Sequence, residues 1–468
     1  MIHFSPIDLL LILGYFGAIV FVGFRAARKE KTSTDEFLLA GRTLTLPVFV
    51  ATLVSTWYGG ILGVGEFSYR YGISNWFIFG VPYYIFALIF AFLLAKRVRA
   101  TQLYTIPDKL EFAYNKPTAI LGGVLTFFLV TPAAYVFMLG VLVQVIAGWD
   151  LTISIVVTTI VTVCYLLAGG FRSDVHVNVV EFILMFLGFV VMLVFAVGNY
   201  GGTEYISQHV PPLHLTVHGG NSIQFIIVWF FIALWTLVDP AFHQRCYAAK
   251  DGKTARRGIL VSVLFWFIFD FLTSVTGLYA RAAIPGLAQP ALSYPYLAEA
   301  VLPPVAKGLF YIGMLATIMS TLSSLMLISG ITLGKDIVLR LKPTLSEQKV
   351  KRMTQYGIII ASIVAVSIAL GIPSVVAIWY TVGTVIVPGL LIPVVGSYFE
   401  KLRPSPRWAF TIMAGGFTAS LSSLMYGQIN TADGRPQYFL GMEPMYPGLL
   451  LSMALWAMGR LLRRRRAL

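Results

Sequence analysis

Apolar runs of about 18 residues or more recur along the whole chain, separated by shorter polar stretches, and a run of that length suffices to cross a bilayer as a helix. They cover roughly 6–24, 43–68, 75–95, 118–147, 151–168, 178–198, 223–243, 259–280, 305–333, 355–371, 374–399, 408–426 and 445–462. The pattern predicts an all-α polytopic membrane protein of about 13 transmembrane helices.

Three of these runs are interrupted by residues that a lipid-facing helix does not need. The run from 305 carries Thr317, Ser320, Thr321, Ser323 and Ser324 within YIGMLATIMSTLSS. Positions 317, 320, 321 and 324 fall on one helical face. Neutral oxygens at membrane depth suit a small hard monovalent cation such as Na⁺. The same hydroxyls would also serve by bonding their own helix carbonyls or by allowing close helix packing. In VFVATLVSTWYGGILGVGEF, the pair Gly59-Gly60 follows the polar patch Thr52, Ser55, Thr56, Trp57 and Tyr58. Glycine is costly inside a helix, so the backbone is expected either to unwind near Gly59 or to present a glycine packing face. In the run from 223, Asp239-Pro240 removes a helical hydrogen bond, and the helix should kink or part near Val238.

The second and third of these breaks lie five spans apart, an odd number that reverses orientation, which fits two five-helix halves with a shared site at the midplane. The expected divisions are an anchor helix and loop at 1–42, a first repeat at 43–199, a second at 200–400, and two C-terminal helices with a basic tail at 401–468.

Composition and charge then fix the compartment. Of 468 residues, 58% are hydrophobic and 12% charged, with a mean hydropathy of +0.81, which excludes an ordinary soluble globular protein. Most of the 34 Lys and Arg residues crowd into alternate loops, 25–42, 96–116, 245–257, 335–352, 401–407 and 460–466. The opposite loops hold only Arg70, Arg281, Lys307 and Arg435. By the positive-inside rule the N-terminus lies outside and the C-terminus in the cytoplasm, in a bacterial inner membrane. The net charge of +14 is thus mainly a topology signal, and RLLRRRR at the end suits anionic lipid of the bilayer, not nucleic acid. The basic run RAARKEK follows the first apolar stretch, so that stretch reads as a retained anchor and not a cleaved signal. Nothing in the chain sets an oligomeric state.

Candidate chemistry is confined to the spans. Four acids lie within them, Glu66, Glu181, Asp239 and Asp270, in an interior that reads as poor in Lys and Arg. Such groups are costly in a membrane and face a cavity, a partner or a cation. Asp239 also fits as a cap on the half-helix after its break, and Glu66 lies near the outer interface. Around the breaks, Ser55, Trp57, Tyr58, Trp235 and Asp239 are candidates to line a solute site. The aromatic rings suit a sugar face or a quaternary amine, or else simple packing. No nucleophile–base pair, phosphate loop or cofactor fingerprint occurs, so an enzyme is not expected.

Five segments together resemble a known family. DEFLLAGR before the first broken helix, GGFRSD, DPAFHQRCYAAKD, ATIMSTLSS and GKDI occur in an order similar to that of the sodium:solute symporters, which include proline, galactose, sialic acid and choline carriers. The resemblance implies a LeuT-type fold: a 5+5 inverted-repeat core with one extra N-terminal helix and two C-terminal ones. It implies Na⁺-coupled symport of a small organic solute by alternating access. It places Na⁺ on the carbonyls of Ala51, Val54 and Thr317 and the hydroxyls of Ser320 and Thr321. Some members bind a second Na⁺ with two further serines, matched by Ser323 and Ser324, and an acid. Alignment on Gly169-Gly170 puts Asn178 where that acid stands, with Glu181 one turn on as a substitute, so a single coupling ion is expected. Asn75 matches a polar position of sugar-carrying relatives. The expected solute is a sugar, polyol, neutral amino acid or amine. Proton coupling through Glu181 or Asp239, or ion-independent transport, is the alternative; a membrane sensor is another, though the chain stops at Leu468 without a kinase domain.

Overall fold

Backbone groups in a bilayer find no water, so apolar segments satisfy them internally as helices. The computed structural model describes residues 2–27, 33–342, 348–432 and 435–465. Among these, the chain is helical apart from turns, loops and two paired two-residue strands, Thr431–Ala432 and Arg435–Pro436. Ten helices are long and apolar enough to cross a membrane, or 11 when one bent pair counts as a single span. The expectation of about 13 exceeds this at two places. The apolar helix Leu151–Cys164 is shorter than a standard span, and Pro406–Ile429 does not pass the same test.

The bent pair is Leu46–Trp57 and Ile61–Tyr71, which meet at 59°. Pro47 starts the first half, where its missing N–H costs nothing. The glycines between the halves are required by close approach: a Cβ on Gly59 would lie 2.1 Å from the Thr321 hydroxyl oxygen, and one on Gly60 2.0 Å from the Trp379 ring. The second break separates Trp235–Val238 from Pro240–Ala248. Asp239 leaves the helical region there, with ψ 118°, and its Oδ1 accepts hydrogen bonds from the N–H groups of Ala241 (2.6 Å) and Phe242 (3.2 Å). It caps the half-helix Pro240–Ala248.

A third break falls between the expected spans 151–168 and 178–198. Gly170 has φ 52° and ψ −155° within the helical stretch Leu151–Tyr200, so the following span starts at Gly170 and runs to Tyr200. Asp174 and Asn178 therefore lie one turn apart inside it. This span packs on the helix Ala306–Ile331 so closely at Gly188 and Gly313 that a Cβ on Gly313 would come 3.0 Å from the Gly188 Cα. Ala306–Ile331 is the centre of the fold, and every residue from Phe310 to Ser324 is buried. The N-terminal helix Pro6–Ala27 is tied to its start by Asp8, whose Oδ1 accepts from the N–H groups of Val305 (2.8 Å) and Gly308 (2.9 Å).

Candidate ion and solute sites

Because Leu46–Trp57 ends at the break, the carbonyls of its last turn lack the partners a continuing helix would supply. Two hydroxyls of Ala306–Ile331 meet them. Ser320 Oγ donates to the Ser55 carbonyl (2.9 Å) and to the Thr317 carbonyl (3.0 Å). Thr321 Oγ1 reaches the carbonyls of Ser55 (3.2 Å) and Thr56 (2.7 Å). Three carbonyls and two hydroxyls thus converge, all neutral oxygens, a donor set that fits Na⁺ and lacks the carboxylates a divalent ion favours. The hydroxyls can turn their lone pairs toward an ion. Thr317, Ser320 and Thr321 come together as expected. Ala51 lies in the middle of the helix and Val54 in its last turn; their carbonyls accept nothing from these hydroxyls, and that of Val54 is taken by the Tyr58 N–H at 3.3 Å. The carbonyls that the two hydroxyls meet are those of Ser55 and Thr56.

Beside this group sits a charged cluster that sequence reading misassigned. Ser323 and Ser324 donate to the two oxygens of Asp174, at 2.8 and 2.6 Å. Asn178 is an auxiliary donor, 3.1 Å from both Asp174 Oδ2 and Ser324 Oγ. The acid facing the two serines is therefore Asp174. Sequence reading missed it because the expected span began at 178, which left Asp174 in a loop, whereas the helix starts at Gly170. Glu181 does not replace it: its Oε1 accepts from the Tyr15 hydroxyl (3.1 Å) against the N-terminal helix.

Arg245 completes the cluster. Placed by its sequence neighbours in a cytoplasmic loop, it is instead fully buried in the half-helix Pro240–Ala248. Its Nη2 donates to Thr56 Oγ1 (2.8 Å) and Ser324 Oγ (2.9 Å) and lies 3.5 Å from Asp174 Oδ2. The interior is thus not free of basic groups, as its composition implied. The guanidinium joins both broken helices to the two central spans.

Between the breaks lies a cavity of about 140 Å³ lined by Trp57, Tyr58, Trp235 and Asp239, as expected, and also by Tyr83, Tyr84, Tyr135 and Trp379. Asp270 faces it too, accepting hydrogen bonds from the hydroxyls of Tyr58 and Tyr84. Thr56 and Thr321 form part of the same wall. Two candidates fall elsewhere. Asn75 is buried against Ser274, to which its amide donates at 3.1 Å, and the Ser55 side chain turns back toward the Thr52 carbonyl (3.4 Å); neither lines the cavity. Glu66 pairs with Arg70 at 3.0 Å, one turn along its helix. The cavity tyrosines carried no local signal, because their spans read as uniformly apolar.

Comparison with known proteins agrees with this geometry. Residues 37–399 match the profile of the sodium:solute symporter family. The sodium/pantothenate symporter of Escherichia coli (strain K12) is 27% identical, over 96% of this chain and 95% of its own length. The osmoregulated proline transporter of Bacillus subtilis (strain 168) is 25% identical, over 96% and 93% respectively. Among solved structures, a substrate-bound, outward-open Na⁺-coupled sialic acid symporter superposes with a TM-score of 0.79 at 16% identity, covering 98% of both chains. That likeness shows the LeuT-type fold. With the family profile spanning most of a multi-pass chain, this protein belongs to the sodium:solute symporter family and works as a sodium-coupled symporter of a small organic solute, not as an enzyme.

Proposed function

We propose that the chain imports its solute across a bacterial inner membrane with one Na⁺ per cycle, N-terminus outside and C-terminus in the cytoplasm. Residues 43–199 and 200–400 act as the two inverted repeats. Sodium binds between the carbonyls of Ser55, Thr56 and Thr317 and the hydroxyls of Ser320 and Thr321. The observation that carries this reading is the double position of Thr321, which bonds the carbonyls at the break and also lines the solute cavity. An ion that draws the first broken helix onto Ala306–Ile331 fixes one wall of the cavity, so ion and solute favour the same conformation. Rocking of the broken helices against the remaining spans would then release both inside.

One ion is proposed because Arg245 already places a positive charge among Asp174, Thr56, Ser323 and Ser324. A second Na⁺ there would meet a like charge. The solute cavity admits a sugar, a polyol, a neutral amino acid or an amine. Proteoliposomes test the coupling: a panel of such solutes should accumulate under an inward NaCl gradient and not under KCl. Uptake driven by a proton gradient and indifferent to sodium would favour the second reading, which rests on Glu181. That side chain is buried, and its Oε2 has no hydrogen-bond partner among the described residues.

A further inference from the structure

We infer that the solute is an organic cation, an amine or quaternary ammonium compound, held between the aromatic walls and the two carboxylates of the cavity; this rests on the symport reading above. Asp239 and Asp270 both face the cavity, and among the described residues no Lys, Arg or His lines it. The buried cation of this region, Arg245, bonds Thr56 and Ser324, pairs with Asp174, and acts on Asp239 only through space, leaving Asp270 with no cationic partner. Buried carboxylates without a counter-charge are costly at membrane depth. Each is held by neutral donors only. Asp270 takes the hydroxyls of Tyr58 and Tyr84, and Tyr84 is itself fixed by the Trp76 indole N–H at 3.2 Å. Asp239 takes two backbone N–H groups on Oδ1. The formal charge these arrangements leave is supplied by the solute.

Aromatic faces supply the rest of the binding. Trp57, Tyr83, Tyr135 and Trp235 line the space beside the acids. Trp57 is fixed by edge contacts with Tyr83 and Phe242, at centroid distances of 4.9 and 5.3 Å. A weakly hydrated cation gains from such faces where strongly hydrated ions do not. A solute bearing a carboxylate or phosphate would meet two negative charges and no basic side chain. A neutral sugar would leave Asp270 without a counter-charge.

The test is binding to purified protein in saturating NaCl and in KCl of equal ionic strength, read as a shift in thermal unfolding. The probes are tetramethylammonium, choline, ethanolamine and putrescine, set against 3,3-dimethylbutan-1-ol, the uncharged isostere of choline, and against glucose, proline and pantothenate. At least one cation should shift the transition, and Asp270→Asn should weaken that cation about tenfold relative to wild type. Where choline binds, the same variant should leave any affinity for its isostere within about threefold, a ratio that a folding defect does not imitate. Trp57→Leu should weaken the cation in the same way. If no cation binds, or if a neutral or anionic solute binds more tightly than every cation, the inference is overturned while a sodium-specific shift still upholds symport. Cation binding indifferent to sodium would keep the solute class and overturn the coupling instead.

Discussion

The Arg245 guanidinium lies 3.5 Å from the Asp174 carboxylate, and neither side chain is exposed. It joins the half-helix after the second break to the span that follows Gly170. Breaking such a pair from one side leaves the other charge buried and unmatched, at a cost of about 3–5 kcal/mol. Arg245→Gln and Asp174→Asn should each lower stability by that order, and the double variant should lose less than their sum. A double-mutant cycle on the purified protein measures the difference; simple additivity would mean the two groups are not coupled.

Sodium stoichiometry follows from the same contact. Wild-type uptake should rise with sodium along a simple saturation curve, with a Hill coefficient of about 1. In Arg245→Ala the oxygens of Asp174, Thr56, Ser323 and Ser324 lose their resident charge, so residual uptake should show a steeper sodium dependence. An unchanged curve would contradict the one-ion account.

Gly59 tests the close approach at the first break. A Cβ there overlaps the Thr321 hydroxyl, so Gly59→Ala has to push the break away from Ala306–Ile331. The expected cost is about 1–3 kcal/mol, with loss of sodium-dependent uptake. A variant that keeps its sodium response would show that this contact does not position the ion.

The far end of the first broken span, at Tyr69, carries a pH prediction. His214, in the connection after Tyr200, donates its Nε2–H to the Tyr69 carbonyl at 3.0 Å, while its Nδ1 has no partner among the described residues. Burial, and more weakly the Arg281 cation, hold its pKa below the ordinary 6.5, although the Tyr69 bond pulls the other way. The unfolded chain therefore takes up the proton first. The stability tied to the neutral ring is fully present above pH 6.5 and is lost as pH falls below that value. Melting curves between about pH 5 and pH 8 should show this slope, and His214→Gln should flatten it. A wild-type profile that stays flat across that range would contradict it.

What the sequence disclosed and what it hid have different physical origins. Gly59-Gly60 and Asp239-Pro240 were legible as breaks because glycine and proline act through local backbone conformation. The stripe Thr317, Ser320 and Thr321 was legible because helical spacing survives within one unbroken helix. Asp174 was missed because the expected span begins at 178, whereas the helix starts at Gly170 and carries Asp174 one turn before Asn178. Arg245 was missed because its neighbours Lys250, Lys253, Arg256 and Arg257 look like a loop, and only tertiary packing draws it inward. The carbonyls of Ser55 and Thr56 carry no sequence signal, since any residue supplies one; what exposes them is where the helix stops.

The central claim is that sodium joins the end of the first broken helix to Ala306–Ile331 through Ser320 and Thr321. Thermal unfolding of the purified protein in NaCl against KCl at equal ionic strength tests it without knowledge of the solute. At ten times its dissociation constant, sodium should stabilise by about 1.4 kcal/mol, and Ser320→Ala should abolish the difference. Equal transitions in both salts, or a sodium effect that survives in Ser320→Ala, would contradict the account.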